Sequence, residues 1–388
     1  MKEKKAKHHQ LYIIPGFFGF TTLGDVGYWE HVRVLLPELF ERAGLSASAF
    51  FTEASPTSSL SRRTISLVET IERNIKGEDT AVHLIGHSTG GLDARLMVSP
   101  GVKLRTTIDV EKVAARVKSV VTIATPHYGA PMAEVFTSMM GKRLLQVVSL
   151  ATIYVTRFGG LPISMLARLA GVLAVGKGSS NLSKSLLDQL FTQLLSDFNP
   201  DRREEIKTFF AEVGNDQSLL PQLAPENMDL FNTTAADRPG VAYASVVTRA
   251  KPPGMRSTLS TGLAPYAQAM HALYHALHRL AGPLPYLFRP ALTDIQTAAL
   301  HRGYPLDDWM EANDGVVPTA SQVWGEVIHT AQADHHDIIG HFKDNKHAPP
   351  HYDWLVTGSK FNRHSFEAAW TDIVDFVASA EDRGRKGS

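Results

Sequence analysis

The sequence contains no cysteine among its 388 residues. A disulfide framework, a thiolate metal site and a cysteine nucleophile are therefore excluded. The formal net charge is zero, because 39 basic residues balance 39 acidic ones. Without an excess of basic residues there is no electrostatic reason to expect a nucleic-acid partner, and we predict none.

Long apolar runs are absent as well. The most apolar region, residues 144–175, is interrupted by two arginines and a proline. A membrane helix needs about 20 predominantly apolar residues, so we predict no transmembrane span. The charged N-terminus, residues 2–9, is not followed by an apolar stretch with a cleavage site. This pattern indicates that there is no signal peptide and predicts a cytoplasmic location.

The first third of the chain alternates between strand-like and helix-like segments. Each strand-like segment is a short apolar run, and each helix-like segment repeats apolar residues at helical spacing. This alternation predicts the α/β class, with a mostly parallel central sheet flanked by helices. Two later strands and an amphipathic helix near residues 365–380 complete the pattern. The predicted strands are residues 11–14, 49–52, 81–85, 117–124, 241–247 and 326–329.

The alternation breaks after Pro131, and about 110 residues pass before the next strand. That length exceeds ordinary loops, and the insertion is mostly helical and rich in Leu, Met and Phe. We interpret it as a cap, which is either a mobile lid over an acyl groove or a static cap with its own core. The predicted division is core 10–130, cap 131–240, core strand 241–250, second cap segment 251–300 and core 301–383.

A five-residue motif, Gly86-His87-Ser88-Thr89-Gly90, lies directly between an apolar strand and a helix. Gly-x-Ser-x-Gly in that position is typical of a nucleophile elbow, where the serine occupies a sharp and strained turn. The glycines allow strand and helix to approach closely because neither has a Cβ atom. Ser88 is therefore the predicted nucleophile, and the α/β class narrows to the α/β-hydrolase fold.

A nucleophilic serine needs a base, and the base needs an orienting carboxylate. In this fold the acid and then the histidine follow the serine along the chain. Asp314 lies in an Asn-Asp-Gly turn sequence that suits a carboxylate at a strand end. His335 and His336 both lie just beyond the last predicted strand, and both are candidates for the base. The alternatives are a plain Asp-Gly turn for the acid and a surface-loop residue for either histidine.

The tetrahedral intermediate of acyl transfer needs two backbone N–H donors. One is expected from Thr89, after the nucleophile, and the other from Phe17, in the loop after the first strand. The Phe17 side chain can be a core or cap-facing aromatic at the same time, because the donor is main-chain. We assign the neighbouring residues Phe18, His87 and Val317 to substrate binding.

Together these residues predict a serine ester hydrolase that works through an acyl-serine and needs no cofactor for its chemistry. The apolar cap favours a lipase acting on medium- to long-chain acyl esters or triacylglycerols, with a lipid–water interface as its working surface. A short-chain carboxylesterase, an acyltransferase and a polyester depolymerase remain open on the same residues. A catalytically silent binding protein of this fold is also open.

Three histidines form a separate candidate site. His271, His275 and His278 fall at i, i+4 and i+7, a spacing that can bind zinc on one helix face. No further ligand lies nearby in the sequence, so we interpret the segment as an amphipathic cap helix.

Several motifs follow the order found in the bacterial true lipases of the Pseudomonas and Burkholderia type, and the chain resembles that family. The resemblance is good over residues 11–135, moderate over 220–248 and 305–342, and poor in the rest of the cap. It implies an α/β-hydrolase acting as a triacylglycerol lipase or esterase. It also selects His335 over His336, because the first histidine of the family's His-x-Asp motif is the base. The motifs are Tyr28-Trp29, residues 52–55, 83–91, 125–130, 223–228 and 231–232, Asn313-Asp314-Gly315-Val316-Val317 and His335-His336-Asp337.

The same resemblance implies a structural calcium ion near the base. Asp337 matches one of the family's ligands, and Asp294 is a candidate for a second carboxylate. His341 stands where the family has a glutamine and suits calcium poorly, because hard cations prefer oxygen. Asp337 is therefore a calcium candidate, with a loop-holding hydrogen bond as the alternative. Two other departures are Pro-Gly in place of the usual His-Gly before the oxyanion donor, and the lack of the disulfide of secreted members.

Overall fold

The computed structural model describes residues 8–17, 22–23, 26–75, 77, 79–175, 180–254, 257–258, 264–304 and 307–384. Its strands are β1 (His8–Ile14), β2 (Thr22–Leu23), β3 (Val26–Gly27), β4 (Ala47–Phe51), β5 (Thr80–His87), β6 (Val117–Ile123), β7 (Ala242–Arg249) and β8 (Glu326–Gln332). Six of them form one parallel sheet in the order β4-β1-β5-β6-β7-β8, which confirms the predicted core strands. Strands β2 and β3 form a short antiparallel hairpin.

Helices cover the sheet and build the insertion. They are α1 (Glu30–Arg42), α2 (Leu60–Asn74), α3 (Thr89–Val98), α4 (Val110–Ala114), α5 (Met132–Thr137), α6 (Met139–Phe158), α7 (Ile163–Val175), α8 (Ser180–Ser196), α9 (Pro200–Asn215), α10 (Leu219–Gln222), α11 (Pro225–Thr234), α12 (Pro265–Ala281), α13 (Asp294–Gly303) and α14 (Arg363–Gly384).

Alternate residues of β1 are buried on opposite faces of the sheet. Leu11 and Ile13 share a core cluster with residues of α1 and with Trp370 of α14. Tyr12 and Ile14 pack on the other face, against residues of α2 and α3. Successive side chains of a strand point to opposite faces, and here both faces are covered, so the strand is a continuous apolar run. A parallel sheet with helices on both faces is the predicted α/β-hydrolase architecture.

The cap has a hydrophobic core of its own. Leu150, Ile153, Leu166 and Leu187 are buried together with Leu273 of α12, which packs against α7. Most of the apolar residues that the sequence offered for an acyl groove therefore fill the interior of the cap. No helix in the described part of the chain combines the length and the apolarity needed to cross a membrane.

Two helices inside the predicted cap ranges 131–240 and 251–300 pack against elements around the sheet. Helix α13 lies within the second range, yet Leu300 is buried against Val327 of β8 at the edge of the sheet. Leu219 of α10 lies within the first range but is buried with residues of α2 and α3. Each of these helices therefore contacts the sheet core through at least one buried apolar side chain.

Candidate active site

Ser88 lies between the end of β5 and the start of α3 in a strained backbone conformation. Its φ is +53° and its ψ is −130°, a combination that residues other than glycine rarely adopt. Gly86 and Gly90 approach neighbouring backbone so closely that a Cβ atom at either position would overlap it. The motif therefore has the geometry of a nucleophile elbow, and it holds Ser88 at the carboxyl edge of the sheet.

The loop after β1 comes very close to Ser88 at Gly16. A Cβ atom at Gly16 would lie 2.6 Å from Ser88 Cβ and 2.9 Å from Tyr28 Oη. Contacts that short do not occur between real Cβ atoms and their neighbours, so only glycine permits this approach. The glycine of the Pro-Gly sequence thus brings Phe17 beside the nucleophile.

Asp314 and His335 are buried and hydrogen-bonded to each other. His335 Nδ1 is 2.8 Å from Asp314 Oδ2, and Nδ1–H donates because a carboxylate only accepts. Nε2 is then left to accept a proton. Ser88 and His335 line the same cavity, although no hydrogen bond joins them in the described residues. Such hydrogen bonds often tighten only when a substrate is present. His336 makes no comparable pair, and its Nδ1 is buried without a described partner.

Four further donors fix the Asp314 carboxylate. Oδ1 accepts hydrogen bonds from the backbone N–H groups of Val316 at 3.0 Å and Val317 at 2.7 Å. Oδ2 accepts from Thr248 Oγ1 at 2.8 Å and from Gln322 Nε2 at 3.2 Å, in addition to the imidazole. All these contacts require an acceptor, so they set the orientation of the carboxylate and, through it, that of the imidazole.

A buried arginine orients the loop that carries Phe17. Arg63 Nη2 donates to the carbonyl oxygens of Pro15 at 2.9 Å and Gly16 at 3.2 Å, and its guanidinium pairs with Asp93 at 2.7 Å. The Gly16 carbonyl and the Phe17 N–H belong to one trans peptide, so they point in opposite directions. The Phe17 N–H therefore points away from Arg63, which supports it as an oxyanion donor. Breaking a buried ion pair of this kind costs about 3–5 kcal/mol.

The second proposed oxyanion donor is at the start of α3. Thr89 is the first residue of that helix, where backbone N–H groups have no intrahelical acceptor. Thr89 lines the same cavity as Ser88 and Phe17. The two main-chain groups predicted for the oxyanion thus lie on the two loops that meet at the nucleophile.

The three residues assigned to substrate binding have different outcomes. Val317 lines the cavity. His87 does not, and its assignment is corrected: it is fully buried, with Nδ1 2.6 Å from Tyr28 Oη and Nε2 2.8 Å from the carbonyl oxygen of His335. Its ring is therefore held in the interior between Tyr28 and the backbone of His335. Phe18 lies outside the described residues.

An apolar cavity opens onto Ser88. Fourteen of its 20 lining residues are apolar, and they come from both the core and the cap. Phe136, Leu145 and Val148 are contributed by α5 and α6, and Leu277 by α12. An apolar lining with a few polar groups at one place is typical of a site that binds an apolar ligand and orients one polar group in it.

Three carboxylates lie close together, and two of them flank His335 in the sequence. One oxygen each of Asp334, Asp337 and Asp353 lies within 4.8 Å of the other two, and Asp334 Oδ2 is buried without a described partner. Burial first, and neighbouring carboxylates second, raise the pKa of Asp334 and Asp337 well above their usual range. Burial raises the pKa of Asp353 to about 7. Asp294 and His341, considered from the sequence, are not part of this described group. An all-oxygen set of this kind fits calcium.

The three cap histidines do not converge. His271 is buried, and its Nδ1 is 3.0 Å from the carbonyl oxygen of Val356, whereas His275 is exposed. His278 belongs to no group of close metal-ligand atoms among the described residues. The amphipathic cap helix therefore accounts for their spacing.

Sequence reasoning gave no role to Arg63, Tyr28 or Asp353. Tyr28 belongs to a motif that resembles the lipase family, and that was the one available signal. Arg63 has the spacing of an ordinary helix residue, and Asp353 lies 18 positions beyond His335. Only tertiary packing shows that Arg63 and Tyr28 are buried and that Asp353 is half-buried beside Asp334 and Asp337.

Comparisons with known proteins agree with this architecture. A family model described as a PGAP1-like alpha/beta domain matches residues 54–157, which include the nucleophile elbow. A search of curated proteins found no match. Similar solved structures are EstA from Clostridium botulinum (18% identity, 97% of this chain and 89% of that chain, TM-score 0.51), lipase 1 from Pelosinus fermentans (15%, 95% and 98%, 0.52) and Staphylococcus hyicus lipase (15%, 99% and 98%, 0.50). At these identities the similarity establishes the α/β-hydrolase fold of this chain.

Proposed function

We propose that the chain is a serine carboxylic-ester hydrolase, and specifically a lipase that cleaves medium- to long-chain acyl esters. The observation that carries the proposal is the buried His335–Asp314 pair, which opens onto the same cavity as a serine in an elbow. The names of the structurally similar proteins, two lipases and an Est protein, favour the same activity. So do the ordered motifs that resemble the Pseudomonas and Burkholderia lipases.

The residues suit ester hydrolysis in two steps, which are acylation of Ser88 and transfer of the acyl group to water. Ser88 Oγ attacks the ester carbonyl carbon while His335 Nε2 takes its proton, and the oxyanion is held by the N–H groups of Phe17 and Thr89. Asp314 keeps the imidazole oriented and stabilises its charged form. His335 then protonates the departing alcohol, and the acyl-serine forms. In the second half the same imidazole activates water, which releases the acid.

The preference for long acyl chains rests on the cavity. Phe136, Leu145 and Val148 offer a methylene chain an apolar wall, and each buried CH₂ gains about 0.8 kcal/mol. A short acetyl group would leave most of that wall without contacts. Leu150 and Leu166 add nothing to this wall, because they are fully buried among other cap residues and do not line the cavity.

An acyl-chain-length profile tests the substrate class. We expect kcat/KM on p-nitrophenyl esters to rise from acetate to decanoate, and triacylglycerol emulsions to be hydrolysed. Val148→Asp should reduce turnover of the long esters more than that of the acetate, because it places a charge in the apolar wall. Activity confined to acetate and butyrate would contradict the lipase proposal and leave a short-chain carboxylesterase. Release of free acid without transfer to an added alcohol would separate hydrolysis from acyltransfer.

We also propose that Asp334, Asp337 and Asp353 hold a structural calcium ion. The three side chains offer carboxylate oxygens close together, and one of these oxygens, Asp334 Oδ2, is buried without a described partner. Calcium prefers oxygen ligands of this kind. The ion would offset their mutual repulsion and hold the loop that carries the base, without taking part in proton transfer.

Calcium should therefore stabilise the folded chain. A ligand at 100 times its Kd adds about 2.7 kcal/mol, which for a chain of this length raises Tm by roughly 3 °C. Asp353→Asn should abolish the rise, whereas Asp344→Asn, in the same loop but outside the cluster, should retain it. Scanning calorimetry with calcium and with a chelator measures this. An equal Tm in both conditions, or an equal shift in Asp353→Asn, would refute the site.

A further inference from the structure

A chain of buried hydrogen bonds connects the oxyanion loop to the base. The Gly16 N–H donates to Tyr28 Oη over 3.2 Å. Tyr28 Oη lies 2.6 Å from His87 Nδ1, and His87 Nε2 lies 2.8 Å from the carbonyl oxygen of His335. Tyr28, His87 and His335 are all at most 5% exposed.

The hydrogens of this chain can be assigned. A carbonyl oxygen only accepts, so His87 Nε2 carries a hydrogen. Burial lowers the pKa of His87 well below its usual range, so the ring is neutral and has only that one hydrogen. Nδ1 must then accept, and the Tyr28 hydroxyl donates to it while accepting from Gly16. Every hydrogen bond runs in one direction, an arrangement in which neighbouring bonds strengthen each other.

The two ends of the chain lie at groups that the proposed reaction needs. Gly16 precedes Phe17, whose N–H is the proposed oxyanion donor, and the other end is the backbone of His335 itself. His87 in the middle is covalently next to Ser88. This series of hydrogen bonds thus joins the loop after β1, the end of β5 and the loop after β8. Misplacing reacting groups by about 1 Å can cost on the order of 100-fold in rate.

We propose that the Tyr28 hydroxyl is a positioning group for this site, holding the oxyanion loop and the base loop in register around Ser88 through His87. The inference rests on the proposed ester hydrolysis. Tyr28 lines the cavity, but its hydroxyl is engaged by Gly16 and His87, so we assign it a positioning role and no part in the chemical step. A merely structural hydroxyl would affect the folded fraction and leave the rate per folded molecule unchanged.

Tyr28→Phe is the direct test, because it removes the hydroxyl and keeps the ring. Tyr12→Phe is the matched control: Tyr12 is equally buried in the sheet, and its hydroxyl donates to Gln10 at 3.2 Å, away from the site. We expect Tyr28→Phe to lower kcat by 10- to 100-fold relative to Tyr12→Phe, with KM changed less than threefold. Phosphonylation of Ser88 should slow in parallel, measured per folded molecule.

The outcomes separate this inference from the proposed function. A loss of kcat of fivefold or more, with slower phosphonylation and unchanged KM, supports the positioning role. A smaller loss, or one found only in KM, overturns it while leaving the esterase proposal intact. If the wild-type chain and Tyr12→Phe both fail to hydrolyse esters or to be phosphonylated, the proposed function and this inference are overturned together.

Discussion

Replacing Ser88 with alanine should abolish ester hydrolysis while the fold remains intact. Loss of a nucleophile of this kind lowers kcat by roughly 10⁶-fold, and the small residual rate comes from binding and the oxyanion donors. Tm should change by less than about 2 °C, because Ser88 Oγ makes no described hydrogen bond whose loss would leave a buried partner unsatisfied. Initial rates on a chromogenic ester and a thermal melt measure both effects.

Ser99→Ala is the matched control for this variant. Ser99 is the C-cap of α3, the helix whose N-cap is Ser88. It is 2% exposed, and its hydroxyl has no described partner. We expect the control to retain wild-type activity. Comparable turnover in Ser88→Ala and Ser99→Ala would mean that another group in the chain performs the hydrolysis.

Asp314→Asn should lower kcat by about 10⁴-fold, which corresponds to about 5.5 kcal/mol of transition-state stabilisation. The reason is that both carboxylate oxygens accept hydrogen bonds, whereas the NH₂ group of an asparagine cannot accept one. If the new NH₂ group occupies the Oδ1 position, it opposes the N–H groups of Val316 and Val317. If it occupies the Oδ2 position, it donates to His335 Nδ1 and moves the imidazole hydrogen to Nε2. In that tautomer the imidazole cannot take the proton of the nucleophile.

A second histidine–aspartate pair provides the control. His329 Nδ1 of β8 is 2.7 Å from Asp372 Oδ2 of α14, and both side chains are partly exposed. Neither residue lines the cavity. Asp372→Asn therefore removes the same kind of contact away from the cavity, and it should leave kcat within about twofold of wild type. If Asp314→Asn behaves like this control, the acid has been placed on the wrong residue.

The sequence was sufficient for the elements whose signals are local. The strand, elbow and helix around Ser88 are contiguous, and the Asn-Asp-Gly turn at Asp314 follows directly from its residues. The choice of His335 over His336 was not local, since both follow the same strand. It came from a family resemblance, and the structure adds the 2.8 Å contact with Asp314.

The residues that sequence reasoning missed depend on packing between distant segments. Arg63 reaches the oxyanion loop 47 positions earlier, and His87 reaches His335 over 248 positions. No periodicity encodes such contacts. His87 was misassigned for the same reason: its position beside Ser88 suggested a substrate contact, whereas Tyr28 and His335, both distant in sequence, hold its ring in the interior.

The cap shows the limit of reasoning from apolarity alone. Leu150 and Leu166 belong to the apolar insertion whose composition favoured a lid over an acyl groove, but both are fully buried in the cap core. Leu145 and Val148, from the same apolar run, do line the cavity. Which face of a helix meets its neighbours and which meets the cavity is decided by the packing of α6, α7 and α12, and composition does not record it.

The central claim is that Ser88 is the nucleophile, and peptide mapping of a fluorophosphonate-labelled chain tests it most directly. The reagent forms a stable adduct with an activated serine, so the mass of one peptide reports the reacting residue. The account predicts one label per chain, on the peptide containing Ser88, and no label in Ser88→Ala. Labelling of a different serine, or ester turnover by a chain that takes no label, would contradict it.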